Sequence, residues 1–130
     1  MSTTSSSKPW MVWTGRVLSA LPVLMMSVGA AFAFARTPQV LEGMSKFGYQ
    51  ESAVLLVGVL ELGSVLVYVI PRTAVLGAIL MTGYLGGAVA THVRIGDPGW
   101  PTALILGILV WAGLYLRDER LRALLPLRQA

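Results

Sequence analysis

Four apolar blocks dominate the chain, each close to the ~20 residues an α-helix needs to cross the hydrocarbon core of a bilayer. The first runs from about Val17 to Ala35 (VLSALPVLMMSVGAAFAFA), the second from about Ser52 to Ile70 (SAVLLVGVLELGSVLVYVI) and the third from about Thr73 to His92. The fourth, about Thr102 to Leu116, is short by itself and is extended by GWP before it and Arg117 after it. The expected architecture is therefore an all-α, integral membrane four-helix bundle. Composition agrees, because 12% of the 130 residues are charged, about half the ~25% of a soluble domain. The length fits one four-span domain over residues 10–125, with a disordered cytoplasmic tail at 1–9 and a second cytoplasmic tail at 126–130.

The net charge of +4 is not gathered into a nucleic-acid patch, because the basic residues sit between and after the apolar blocks, where they act as topology signals. Lys8, Arg16, Arg72, Arg117, Arg120, Arg122 and Arg128 fall on one side, and Arg36, Lys46 and Arg94 on the other, which accounts for all ten. Both termini are expected in the cytoplasm, with the chain in a bacterial-type inner membrane. A competing reading treats the first block as a signal peptide, since Lys8 and Arg16 precede an apolar run ending AFAFA, which matches the A-x-A cleavage pattern. That run is long for a signal sequence; cleavage would leave three spans with termini on opposite sides. The chain has no cysteine, which excludes disulfides, thiol nucleophiles and Cys-ligated metals within it.

The connection between the first two blocks, RTPQVLEGMSKFG, predicts a short helix with Thr37 as N-cap, Pro38 at the first helical position and Gly48 as the stop. Val40, Leu41, Met44 and Phe47 then share one face, away from Gln39, Glu42 and Lys46, as expected of an amphipathic helix lying at the outer membrane surface. VIPRT predicts a tight hairpin between the second and third spans.

Glu61 falls near the middle of the second span. A carboxylate there costs about 2.5–3.5 kcal/mol on insertion scales, which the surrounding Val and Leu outweigh, so Glu61 is expected to be protonated or firmly hydrogen-bonded. Ser64 and Tyr68 follow it at i+3 and i+7, giving one polar stripe that faces the bundle interior. Equal-depth counting from the hairpin sets Glu61 level with Thr82, with Tyr84 about one turn further out, and sets His92 level with Glu51. The depth difference between Glu61 and His92 is then roughly 15 Å at 1.5 Å per residue, too far for a direct pair. Two polar layers are expected: a buried one of Glu61, Ser64, Thr82 and Tyr84, and an outer one of Glu51, His92 and Arg94.

In GYLGGAVATHVRIGDPGW, Gly83 with Gly87, and Gly86 with Ala90, have the small-x-x-x-small spacing that admits a neighbouring helix. Tyr84, Gly87, Ala88 and Thr91 share one face. Trp10, Trp13, Trp100 and Tyr115 fall near span ends and read as an aromatic belt, whereas Trp111 lies deeper. His92 is the single histidine; it serves either as an interfacial anchor or as a proton carrier. A metal site is not expected, and haem would need a second axial ligand. No phosphate loop, dinucleotide fingerprint, nucleophile elbow or zinc motif is present.

The segment GVLELGSVLVYVIPRTAVLGAILMTGYLGGAVATHVRIGDP resembles the core of the DoxX-like small membrane proteins. The marks of the resemblance are the glutamate of LELG, the IPRTAVLGA hairpin, GYLGGAVATH, and GMSKFGYQE before the second span. It implies a four-helix membrane bundle associated with membrane redox processes, and it points to Glu61, Tyr84, Thr91 and His92. Many relatives carry a lysine near the end of span one, where this chain reads AFAFAR.

Three functions stay open at this stage. The leading one is an accessory subunit, non-catalytic on its own, that binds a small apolar molecule of the quinone type between its helices. Its site would comprise Glu61, Ser64, Thr82, Tyr84, Thr91, His92 and Arg94. The second is a redox-complex subunit in which Glu61 passes protons during quinone chemistry; the third is a scaffold or assembly factor, with Glu61 serving only packing. Expected partners are the lipid bilayer, a membrane redox protein and further copies of the chain.

Overall fold

The computed structural model describes residues 8–125. The two expected tails lie outside that range except for Lys8 and Pro9, and Pro9 already opens the first helix. The chain forms α1 (Pro9–Ala35), α2 (Pro38–Lys46), α3 (Ala53–Val69), α4 (Ala74–Arg94), α5 (Trp100–Arg117) and α6 (Glu119–Arg122), with no strand among the described residues. Proline at the first position of α1, α2 and the Pro71–Thr73 turn accepts the fixed φ of a helix start without sacrificing a needed N–H.

α1, α3, α4 and α5 pack in a ring: α1 lies against α3 and α5, and α4 lies against the same two from the other side. α2 crosses one end of the ring, and the hairpin and α6 lie at the other. Three helical stretches, Pro9–Ala35, Pro71–Arg94 and Trp100–Arg117, are long and apolar enough to cross a membrane, whereas α3 is apolar but 17 residues long. Leu24, Leu56, Leu76 and Ile108 project outward, each more than half exposed. Apolar surface on every side of the ring has no favourable home in water.

The interior is tight at the hairpin end. Tyr68, Met81, Val110 and Leu114 are fully buried. Gly77 lets α4 reach the backbone of α3 at Tyr68, and Gly113 lets α5 reach α1 at Gly15 and Ser19; neither position has room for a Cβ. Tyr68 donates its hydroxyl proton to the Val110 carbonyl at 2.8 Å, so Ser19 Oγ, 2.7 Å away, must be the donor to the same hydroxyl oxygen. This single hydroxyl ties α1, α3 and α5 together.

The other expected close approach does not form. A Cβ added at Gly83, Gly86 or Gly87 would meet nothing within 4 Å. Small spacing removes side-chain bulk; whether a helix or a void takes the space is decided by the neighbours, and here Gly83 and Gly87 border open space toward α3 and Gly86 borders open space toward α5.

The chain leaves α1 through Arg36, whose backbone is left-handed (φ 51°, ψ 47°). Thr37 then caps α2 by accepting from the Val40 N–H, and Gly48, with φ +86°, ends the segment in a conformation other residues resist. Val40, Leu41, Met44 and Phe47 are half-buried while Gln39, Glu42 and Lys46 are exposed, the two faces expected from their spacing.

A cleft at the end of the ring crossed by α2

A half-open cleft of about 500 Å³ lies between α3 and α4, capped by Met44 and Phe47 of the α2 segment. Its walls are apolar, from Leu56, Val57 and Leu60 on α3 and Gly83, Gly87 and Ala88 on α4, with Tyr49, Tyr84, Thr91 and His92 supplying the polar atoms. Beside it lies a smaller, shallower pocket of about 220 Å³, bordered by residues of α1, α4 and α5 and by Glu61 of α3. Tyr84, Ala88 and His92 border both spaces.

Glu61, Ser64 and Tyr68 are all buried, Glu61 being 9% exposed. The Glu61 carboxyl points inward toward α1, since a Cβ on Gly29 would lie 2.9 Å from Oε1. The Tyr84 hydroxyl approaches the same carboxyl from α4. Tyr84 opposite Glu61, like Gly77 opposite Tyr68, falls two positions further along α4 than equal-depth counting placed it.

That shift corrects the buried layer. Thr82 turns away from Glu61 toward α5, where it donates to its own helix at Ala78 O (2.7 Å) and accepts from Trp111 Nε1 at 2.6 Å. Ser64 donates to Leu60 O at 2.6 Å and lines neither space. Each satisfies its hydroxyl on the preceding turn, as Ser and Thr do inside helices. Among the expected site residues, the structure therefore gathers Glu61, Tyr84 and His92 around the smaller pocket, and Tyr84, Thr91 and His92 around the cleft.

The outer layer is also rearranged. Glu51 pairs with Arg36 at 2.8 Å, not with His92. Arg94 donates to the Phe47 carbonyl and closes the rim instead of lining the cleft. His92 takes Asp97 as its partner, Nδ1 to Oδ1 at 2.8 Å, and Phe47 packs edge-on against the imidazole. The backbone N–H of Gly99 donates to the same carboxylate oxygen at 2.8 Å, and Lys46 reaches the other at 3.1 Å. These donors, the Gly99 N–H first and then His92 and Lys46, hold the Asp97 carboxyl at about 2. An ionised Asp97 only accepts, so His92 donates to it from Nδ1. Gly99 is required here, because a Cβ would lie 2.8 Å from Asp97 Oδ1 and 2.9 Å from the His92 ring.

Asp97 and Tyr49, whose hydroxyl lies 3.0 Å from Thr91 Oγ1, were not singled out from sequence. An acid five residues after a helix-terminal histidine, followed by Pro-Gly, was the available signal for Asp97. Glu61 and His92 form no hydrogen bond, though both border the smaller pocket. Among the described residues, no cluster of three His, Cys, Asp or Glu side chains suited to a metal is present.

The DoxX-like family model matches residues 17–113, which cover all of α3 and α4, most of α1 and α5, and the residues lining both spaces. The chain belongs to the DoxX-like family of membrane proteins. No curated protein and no solved structure matches it.

Proposed function

We propose that this chain holds a small, largely apolar molecule bearing one polar end in the cleft between α3 and α4, and that Tyr84 and His92 read the polar end. The observation that carries the reading is the place where glycines could have packed a helix: Gly83 and Gly87 border about 500 Å³ of apolar space ending at Tyr84. That volume lies in the range of small-molecule sites, and a few convergent polar atoms in an apolar cleft are the usual design. The His92 imidazole and the Tyr84 hydroxyl suit a ligand with hydroxyl or carbonyl oxygens on a ring, the quinone–quinol class.

All four ring helices cross the bilayer in this reading. α3, rising about 26 Å, is matched to a ~30 Å core by its flanking residues and local thinning. α2 lies at the outer surface. Both termini lie on the inner side, supported by the seven-to-three division of basic residues.

The test is mass spectrometry of small molecules retained by protein purified natively, beside Gly87→Leu and Glu61→Gln. Gly87→Leu is expected to abolish retention while the fold survives, because open space surrounds that position. Equal retention by native and Gly87→Leu protein refutes the cleft as the site. If Glu61→Gln alters thermal stability and leaves ligand content unchanged, that carboxyl serves packing alone.

A second reading, a subunit handling protons in quinone chemistry, is favoured by the His92–Asp97 pair, since a carboxylate-held imidazole is a competent proton acceptor. It predicts a redox-active partner in a gentle detergent pull-down, and a colourless, partner-free preparation counts against it.

A further inference from the structure

At the opposite end of the ring, a separate pocket of about 210 Å³ opens where α1, α3 and α5 meet, bordered by Arg16, Ser19, Tyr68, Val69 and Arg117. We propose that it binds the phosphate of an anionic lipid, held between the Arg16 and Arg117 guanidinium groups, with the acyl chains running along the apolar outside of α1 and α3.

The two arginines are brought together by the helix packing. Gly15 and Gly113 let α1 and α5 meet at backbone distance, so Arg16 and Arg117, the neighbours of that contact, flank one pocket. Aromatic rings hold both heads: the Arg16 guanidinium carbon stands 5.2 Å from the Trp13 ring centroid, and that of Arg117 stands 5.3 Å from the Tyr68 centroid. Such stacking orients a planar cation while leaving its charge uncompensated.

No carboxylate among the described residues forms an ion pair with either arginine. Asp118, the nearest acid in sequence, spends its carboxylate on the N–H groups of Arg120 and Leu121, and Glu119 faces Arg122. Arg117 Nε is buried with no acceptor. The Tyr68 hydroxyl and Ser19 Oγ bond to each other and to the Val110 carbonyl and make no bond to Arg117 Nε. The pocket therefore offers donors and positive charge and lacks an anion. A phosphate oxygen pair matches the guanidinium fork.

The location selects the source. Val23 and Val69 complete the pocket wall, and Val17, Leu21, Leu24, Leu66 and Val69 beside it are exposed large hydrophobics suited to acyl chains. Lys8, Arg72, Arg120 and Arg122 lie at the same end of the ring, a field that concentrates anionic headgroups near this surface.

Native mass spectrometry of the full chain in detergent, titrated with phosphatidylglycerol or with phosphatidylcholine of the same acyl chains, tests the site. Native protein is expected to retain phosphatidylglycerol at least tenfold more tightly, and Arg117→Gln to erase that preference. Arg16→Gln, at an exposed position where folding is not at stake, should weaken it severalfold. Arg120→Gln, at the same end but outside the pocket, should change it less than twofold. Equal binding of the two lipids by native protein overturns the proposal, as does an equal loss in Arg120→Gln and Arg16→Gln, which would signify general surface charge. Displacement of the lipid by millimolar inorganic phosphate would show that the headgroup oxyanion alone is recognised, and would overturn the lipid as occupant.

Discussion

Removing one oxygen atom from Tyr68 tests the joint that holds α1, α3 and α5 together. The hydroxyl lies on a side chain 1% exposed and makes two hydrogen bonds, one to Ser19 Oγ and one to the Val110 carbonyl. Tyr68→Phe preserves the ring and its packing but strands the Ser19 hydroxyl, itself buried, without its acceptor. Stranding a buried polar group costs about 1–3 kcal/mol in water-soluble proteins, whereas interhelical hydrogen bonds inside membranes average about 0.6 kcal/mol with a ceiling near 1.7. The expected loss is thus about 1–2 kcal/mol. Ser19→Ala alone should cost less, because Tyr68 keeps its bond to Val110. The double variant should be more stable than the sum of single losses by about 0.6–1.7 kcal/mol, since no stranded hydroxyl remains. Reversible unfolding in mixed micelles, followed by circular dichroism, measures all four proteins. Additive losses would mean that the two hydroxyls do not act on each other, and the assignment of Ser19 as donor would fall with them.

The glycines of α4 should divide sharply. Gly77→Ala drives a methyl group into the α3 backbone and is expected to cost roughly 1–3 kcal/mol or more, while Gly83→Ala, facing open space, should stabilise by up to about 1 kcal/mol through helix propensity; melting temperatures that fall equally contradict the placement of the cleft. The outer latch should respond to acid. Because Asp97 is held at about 2 in the folded chain, below an unfolded value near ~3.9, its contribution is whole above about pH 4 and disappears as pH falls through about 2. Thermal melts of native and Asp97→Asn protein across that window should converge at the acid end; parallel curves would disprove the link.

Hydropathy placed the ring helices within a few residues, except that α1 begins at Pro9 instead of near Val17, because polar Thr14 and Arg16 interrupt the apolar run without breaking the helix. Thr37, Pro38 and Gly48 marked α2 for local reasons that need no tertiary information. Thr82 was misplaced because the count from the hairpin ran two positions short along α4 and carried no rotation: each residue turns the helix by about 100°, so Thr82 faces α5 while Tyr84 faces Glu61. Asp97 escaped notice because its three donors come from α2, the end of α4 and the start of α5, and only the folded loop gathers them. Gly83 and Gly87 were legible as small and not as empty.

Tyr84, Ala88 and His92 recur every fourth residue on α4 and serve as a common partition between the cleft and the shallower pocket bordered by Glu61. A partition has two sides. Swinging the Tyr84 ring into the cleft would widen the smaller space by the amount it narrows the larger one, and would uncover the acid to whatever stood there.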